Sequence, residues 1–384
     1  MKVLVTGAKG FVGRNLVVML GKQPDVEVVG YDLGDSPSLL DEGLATADVI
    51  FHLAGVNRPE KIEDYATGNT GFTQKLCDQL QSIGRKPTII FSSSVQAVLD
   101  NPYGASKRRA EEALLNYSKQ TGARVVLFRL KNVFGKWCRP NYNSVVATFC
   151  HNIVRNLPVS ISDRANEVNL VYVDDVCKAM TEAAGLLPKP PNHLRIAADS
   201  AYADIVPLFK ITLGDLVDAI HSFKDSRSSL QVPAFDNPLT ARLYATYLSY
   251  LEGKDFVYSL DIKADNRGSL AEFLKSPSFG QIFISRARPG ITRGNHYHNT
   301  KAEKFCVVQG EALIRFRNIQ GDEIIEYAVS GGEYRVVDIP PGYTHSIENV
   351  GDGELVTLFW ANQVFDPEKP DTYFEEVGRK SNEL

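Results

Sequence analysis

Two groups of residues in this chain have types and spacings that can do chemistry. Tyr103 and Lys107 stand one helical turn apart. On one helix face the ammonium can sit beside the phenol, stabilise the phenolate and leave Tyr103 able to give a proton near neutral pH. The spacing alone equally describes a surface couple, but Ser94, closing the run Phe91-Ser92-Ser93-Ser94, adds a hydroxyl that can hydrogen-bond a carbonyl. The second group is His296, His298, Glu303 and His345. Histidines two apart in a strand point to the same face, and Glu303 on a following strand can reach the same point. His345, in the run Pro340-Pro341-Gly342-Tyr343-Thr344-His345, would bring one more imidazole from the opposite side of a barrel. Three imidazoles and a carboxylate suit a transition metal. Lys304 and Tyr343 lie beside these ligands and could move a proton, although neighbours of a ligand on a strand usually point away from it, which favours a structural role.

The elements that must position the first group are those of an α/β domain. Short apolar runs at 3–5, 26–31, 49–53, 88–91 and 124–130 read as buried strands with helical patterns between them, which predicts a parallel, doubly wound sheet. Directly after the first strand come Gly7, Gly10 and Gly13, enclosing Lys9, Phe11 and Val12. Glycines at this period let a turn be tight and let backbone N–H groups approach a pyrophosphate at a helix N-terminus; they also occur as mere packing glycines. Leu53-Ala54-Gly55 follows a later strand and can pass close to the adenosine half of a dinucleotide. Asp32 closes the second strand, where a carboxylate would accept ribose hydroxyls and repel a 2′-phosphate, which favours NADH. Lys9 and Arg14 could instead pair with that phosphate, or be solvated cations, so NADPH stays open.

A proline-rich loop at 187–191 interrupts the α/β pattern, and a polar stretch at 224–238 reads as its exit. Beyond residue 250 the texture becomes short strands, 281–287, 304–308, 312–317 and 355–360, separated by Gly and Pro turns, as in an all-β barrel. The division falls near residue 247, giving 1–247 and 248–384.

The bulk numbers narrow the class. Hydrophobic residues at 43% and charged residues at 23% fit a folded globular chain and exclude disordered and fibrous ones. The net charge of -4, with no Lys/Arg block, argues against nucleic acid as a partner. Five cysteines scattered without paired spacing point to a reducing compartment, and the absence of a signal sequence or an apolar span points to the cytoplasm, away from membranes.

The first 220 residues resemble the extended short-chain dehydrogenase/reductases, on Gly7 to Gly13, Ser94, Tyr103, Lys107, Arg129-Leu130-Lys131-Asn132-Val133-Phe134-Gly135 and Tyr172-Val173-Asp174-Asp175-Val176. Ser94 lies nine residues before Tyr103, closer than is usual there, so Ser93 and Ser94 are both candidates for facing substrate. The run from Gly290 through His296, His298 and Glu303 to Gly310, and that from Pro340 to His345, resemble the two cupin motifs. Their pairing is similar to the bifunctional capsular-polysaccharide and O-antigen enzymes that join such a reductase to a C-terminal cupin (jelly-roll) barrel. That resemblance implies C3 epimerisation of a UDP-linked 2-acetamido-2,6-dideoxy-4-hexulose in the cupin. Reduction at C4 by the reductase would follow, giving a UDP-N-acetyl-L-talosamine precursor of N-acetyl-L-fucosamine. It further implies NADPH, zinc and a homodimer. Within it Tyr103 is general acid, Lys107 its electrostatic partner and ribose ligand, and Ser94 the carbonyl donor. The alternatives are a single-activity 4-keto sugar enzyme with the cupin as a binding module, and a sensor without turnover, which would have no use for Tyr103.

Overall fold

The structure is a computed structural model that describes residues 1–187, 193–196, 200–265, 268–271, 280–363 and 366–378. The proline-rich loop falls almost wholly outside these residues. The chain forms two compact units, the first made of residues 1–134, 138–144 and 167–211 and the second of the rest.

In the first unit the chain alternates β1 (Lys2–Thr6), α1 (Phe11–Leu20), β2 (Glu27–Tyr31), α2 (Pro37–Thr46) and β3 (Val49–His52). A short helix α3 (Glu63–Tyr65) runs through a π-helical turn (Ala66–Gly71) into α4 (Phe72–Ser82), followed by β4 (Thr88–Ser94), α5 (Pro102–Thr121) and β5 (Val125–Leu130). The order β2-β1-β3-β4-β5 is all parallel, and the sheet is extended by β9 and β8 in the segments given below.

The strands β1, β3, β4 and β5 read as unbroken apolar runs because both faces are buried. Val3, Val5, Val49, Phe51, Ile90, Val126 and Phe128 join Leu16 and Leu20 of α1 in one core. Their alternate neighbours Leu4, Ile50, Ile89, Phe91, Val125 and Leu127 join Leu40, Leu76, Leu80 and Leu114 in the core on the other face. The chain moves from β2 across β1 to β3, so the ends of β1 and β3 flank the switch point where doubly wound sheets leave an open crevice.

After β5 come β6 (Asn132–Phe134), α6 (Val145–Val154), β7 (Glu167–Tyr172), α7 (Val173–Ala183), β8 (Leu194–Ile196), β9 (Tyr202–Ile205), β10 (Phe209–Thr212), α8 (Leu213–Ser229) and α9 (Pro238–Leu248). Instead of a single division near residue 247, residues 145–166 and everything from Thr212 onward cluster with the C-terminal β region. The reason is a set of specific buried contacts. Arg227 of α8 reaches Asp338 at 2.7 Å, and Phe235 lies 5.8 Å from Trp360. The polar stretch predicted as an exit is helical as far as Ser229.

The C-terminal region holds β11 (Val257–Ser259), the hairpin β12 (Ile262–Asp265) and β13 (Gly268–Ala271), then β14 (Gln281–Ala287), β15 (Thr292–Tyr297), β16 (Glu303–Gln309), β17 (Glu311–Asn318), β18 (Ile324–Ser330), β19 (Arg335–Ile339), β20 (Tyr343–Asn349), β21 (Leu355–Ala361) and β22 (Tyr373–Phe374). Apart from β12 and β13, which pair only with each other among the described residues, they form two five-stranded antiparallel sheets, β11-β19-β16-β21-β14 and β18-β17-β20-β15-β22. Side chains of the two sheets meet face to face, with Phe305 of β16 lying 5.6 Å from the His345 ring of β20.

Candidate functional site

The glycine loop is shaped by backbone that no other residue could replace. Gly7 has φ +75°, and a Cβ there would lie 2.6 Å from the Ala54 nitrogen; one on Gly13 would lie 2.0 Å from the Gly7 oxygen. Gly10 N donates to Gly7 O at 3.0 Å, and Gly10 caps α1 without a side-chain acceptor, leaving the amides around Phe11 and Val12 for an anion. Leu53 N donates to Thr6 O at 3.0 Å and Ala54 N to Thr6 Oγ1 at 3.4 Å, which brings Leu53, Ala54 and Gly55 beside the loop. Asp32 stitches this region together: its carboxylate accepts from Lys9 N and Leu33 N, each at 2.7 Å. The Lys9 side chain is paired with Asp35 at 2.6 Å.

Helix α5 carries Tyr103 and Lys107. Asn101 caps it through Gly104 N at 2.8 Å, with Pro102 at its first position. Burial pushes the Tyr103 phenol up from its ordinary value, and a hydrogen bond to Ser94 pulls it back. Lys107 follows one turn later on the same helix. Its buried Nζ donates to Ser92 O at 2.9 Å and stands 4.9 Å over the Phe91 ring. Burial lowers the Lys107 ammonium to about 8, with Glu111 opposing the fall. Ser93 turns the other way and donates to Glu111 at 2.5 Å, so Ser94 is the hydroxyl beside Tyr103. Glu111 also accepts two bonds from Arg129, at 3.0 and 2.6 Å, and one from Tyr202 at 3.1 Å.

Asn69 escaped sequence reasoning. Only 2% exposed in the π-helical turn, it accepts from Val56 N at 2.9 Å and donates to Ser106 Oγ at 2.9 Å. Ser106 Oγ in turn donates to Tyr103 O at 2.7 Å. A Cβ on Gly55 would lie 2.7 Å from Asn69 Oδ1 and 3.2 Å from Lys107 Nζ, so the loop after β3, the turn and α5 close on one another only with glycine there. The signal was Gly68-Asn69-Thr70-Gly71 inside a helical pattern, a poor helix-forming run that needs a reason.

In the second unit His296, His298, Glu303 and His345 converge, their candidate ligand atoms all within 4.8 Å of one another. His296 stands opposite His345 across β15 and β20, after a bulge at Gly294. His345 therefore comes from the neighbouring strand and not, as its place in the sequence suggested, from the opposite side of a barrel. Glu303 of the facing sheet is the residue that reaches across, to 3.3 Å from His298 Nε2 and 3.7 Å from His345 Nε2. Burial alone would raise the Glu303 carboxyl, but His298, His345 and His296 outweigh it and hold it at about 2. Burial, then the neighbouring imidazoles, holds His345 well below its ordinary value. Among the described residues, His298 Nε2 and both His345 ring nitrogens are buried without a hydrogen-bond partner, an arrangement costing about 1–3 kcal/mol per group in water-excluded surroundings unless something fills it. A divalent transition metal with bonds of roughly 2.0–2.2 Å fits this donor set.

Lys304 is not in this cluster. It pairs with Asp338 at 2.5 Å and with Tyr258 at 3.1 Å, on the other face of β16 from Glu303. Tyr343 packs its ring edge-on at 5.0 Å from Phe256.

Fold and site together define a nicotinamide-dinucleotide-dependent oxidoreductase of the doubly wound class, joined to an antiparallel β domain. Residues 3–196 match the NAD dependent epimerase/dehydratase family, and residues 263–373 match the Polysaccharide biosynthesis C-terminal domain. The chain belongs to the nucleotide-sugar reductase and epimerase family that includes CapF. It is 45% identical over 378 residues to UDP-2-acetamido-2,6-beta-L-arabino-hexul-4-ose reductase of Pseudomonas aeruginosa, covering 98% of this chain and 99% of that protein. The crystal structure of the capsular polysaccharide assembling protein CapF from Staphylococcus aureus is 45% identical, with a TM-score of 0.65 over 98% of this chain and 100% of that one. UDP-glucuronic acid 4-epimerase from Bacillus cereus in complex with NAD shares the fold at 21% identity, with a TM-score of 0.50 over 60% of this chain and 83% of that one. No helix among the described residues is long and apolar enough to cross a membrane.

Proposed function

We propose that this chain reduces the C4 ketone of a UDP-linked 2-acetamido-2,6-dideoxy-4-hexulose with NAD(P)H, after its cupin domain has epimerised C3. The product is UDP-N-acetyl-L-talosamine, on the route to UDP-N-acetyl-L-fucosamine for capsule or O-antigen. The observation that carries the reading is the closure of α5 on the glycine-lined crevice, where the buried Lys107 Nζ would lie 3.2 Å from a Cβ on Gly55 and Tyr103 sits near enough to Ser94 for its phenol to be lowered. A 4-keto sugar suits both steps, since the ketone acidifies the adjacent C–H bond and is itself the hydride acceptor.

When bound, the nicotinamide supplies the hydride. Tyr103 gives its hydroxyl proton to the C4 oxygen, and Ser94 donates a hydrogen bond to the same oxygen. Lys107 holds the ribose and keeps positive charge near the phenol. Gly7, Gly10 and Gly13 let the α1 amides meet the pyrophosphate. In the cupin, His296, His298, Glu303 and His345 would hold a divalent ion, zinc in this reading, which would supply Lewis-acid polarisation of the ketone or shape the site around it. The reading extends to a homodimer in the cytoplasm.

A second reading, a reductase alone with the cupin as a binding module, is favoured by the engagement of Lys304 and Tyr343 elsewhere. Incubation with the UDP-4-keto sugar in deuterated water, first without and then with NAD(P)H, separates the two by NMR. Deuterium at C3 before reduction is the expected result. Reduction without that exchange would leave only the reductase.

A further inference from the structure

The chain's last described segment threads past all three imidazoles. Asp371 takes an uncommon φ of +40°. Its backbone oxygen lies 2.6 Å from His298 Nδ1. A carbonyl only accepts, so Nδ1 carries the proton and the lone pair is left on Nε2, the nitrogen aimed at Glu303. The Asp371 carboxylate gathers four donors from the loop after His298: Asn299 N at 3.1 Å, and Thr300 N, Thr300 Oγ1 and Lys301 N at 2.8 Å each. Two residues further on, β22 pairs Phe374 with His296, Glu375 N donates to Asn295 O at 2.8 Å, and Glu375 O accepts from Thr344 Oγ1, next to His345. One short strap is thus bonded beside each histidine, and no local sequence signal announces it.

We infer that this strap is part of the metal centre, with Asp371 as the positioning residue that fixes the His298 tautomer and the loop leading to Glu303. The inference rests on the metal reading above. Substitution leaves the backbone oxygen in place but removes what holds it there, since the carboxylate anchors the residue to the loop. Asp371→Ala loses all four bonds and places alanine at a left-handed φ. Asp371→Asn tolerates that φ and keeps one carbonyl oxygen, so it isolates the charge.

The test is zinc affinity of the full-length, metal-stripped protein by competition with a chromophoric chelator, with the melting temperature of each metal-free protein measured alongside. The expected result is about a 10–100-fold weaker affinity in Asp371→Ala and a smaller loss in Asp371→Asn, with metal-free melting of Asp371→Asn unchanged. Native affinity in both variants would overturn the strap's role and leave the metal reading standing. An affinity loss in Asp371→Asn that only tracks a lowered metal-free melting temperature would overturn it too. A native protein that takes up no zinc would overturn the metal reading and this inference with it.

Discussion

Replacing Lys107 by Met should make the protein more stable at neutral pH while abolishing reduction. Lys107 is only 5% exposed, and burial lowers its ammonium from 10.5 to about 8, which corresponds to about 3 kcal/mol disfavouring the charged form in the folded state. Against that gain, the variant leaves Ser92 O without the bond it now receives at 2.9 Å, a loss of about 1–2 kcal/mol. The net expectation is a gain of about 1–2 kcal/mol at pH 7. The sign with pH follows from linkage. Between about 8 and 10.5 the unfolded chain binds the proton that the folded one has lost, so the wild type gains stability as pH rises through that window. The variant has no such gain. Its advantage should shrink above pH 8 and reverse by about pH 10, where only the missing hydrogen bond remains. Urea unfolding of the cofactor-free proteins reads this by far-UV circular dichroism, since both tryptophans, Trp137 and Trp360, lie in the second unit. A variant less stable than wild type at pH 7, with the same denaturant slope, would refute the argument that burial of this charge opposes folding.

Tyr103→Phe should lower kcat by about 10²–10⁴-fold with dinucleotide affinity intact, and a decrease below tenfold would remove Tyr103 as proton donor. In the wild type the reductive rate should fall as pH rises through about 8, where Lys107 loses its charge, because the Tyr103 proton is held to higher pH. A rate flat to pH 10 contradicts that assignment. Gly13→Ala should abolish dinucleotide binding by calorimetry, since its Cβ would lie 2.0 Å from Gly7 O with backbone on both sides; unchanged affinity would mean that the loop can open. Asp338→Ala should destabilise the second unit by about 3–5 kcal/mol, because it strands Lys304 and Arg227, and near-native urea unfolding would show that they find other partners.

Strands β1, β3, β4 and β5 were legible because burial on both faces leaves an apolar run that no solvent-facing element would carry. The convergence of His296, His298, Glu303 and His345, and the nearness of Ser94 to Tyr103, could be anticipated because side-chain chemistry and short spacing are local properties. Others depend on partners far away in sequence. Asn69 is recognisable as a link between the β3 loop and α5 only once Val56 and Ser106 meet it, and Asp371 as a neighbour of the imidazoles only once its strap lies beside His298. The placement of His345 on the strand next to His296 depends on the β15–β20 register, which periodicity does not encode. Lys304 sits next to a ligand in sequence, yet the period of two turns it to Asp338. The bond from Lys107 to Ser92 O likewise joins α5 to the end of β4, a pairing that four-residue spacing does not announce.

The interleaved make-up of the two units bears on how such a protein can be cut or assembled. A gene shortened at residue 247 would still encode α6, α8 and α9, but Arg227 would have lost Asp338 and Phe235 would have lost Trp360. Such a fragment would expose a face shaped for β19 and β21 and would be a target for aggregation and proteolysis. The catalytic half therefore cannot be recombined as an interchangeable cassette by one crossover near that point; any transplant has to carry the helices together with the sheets they were built to cover.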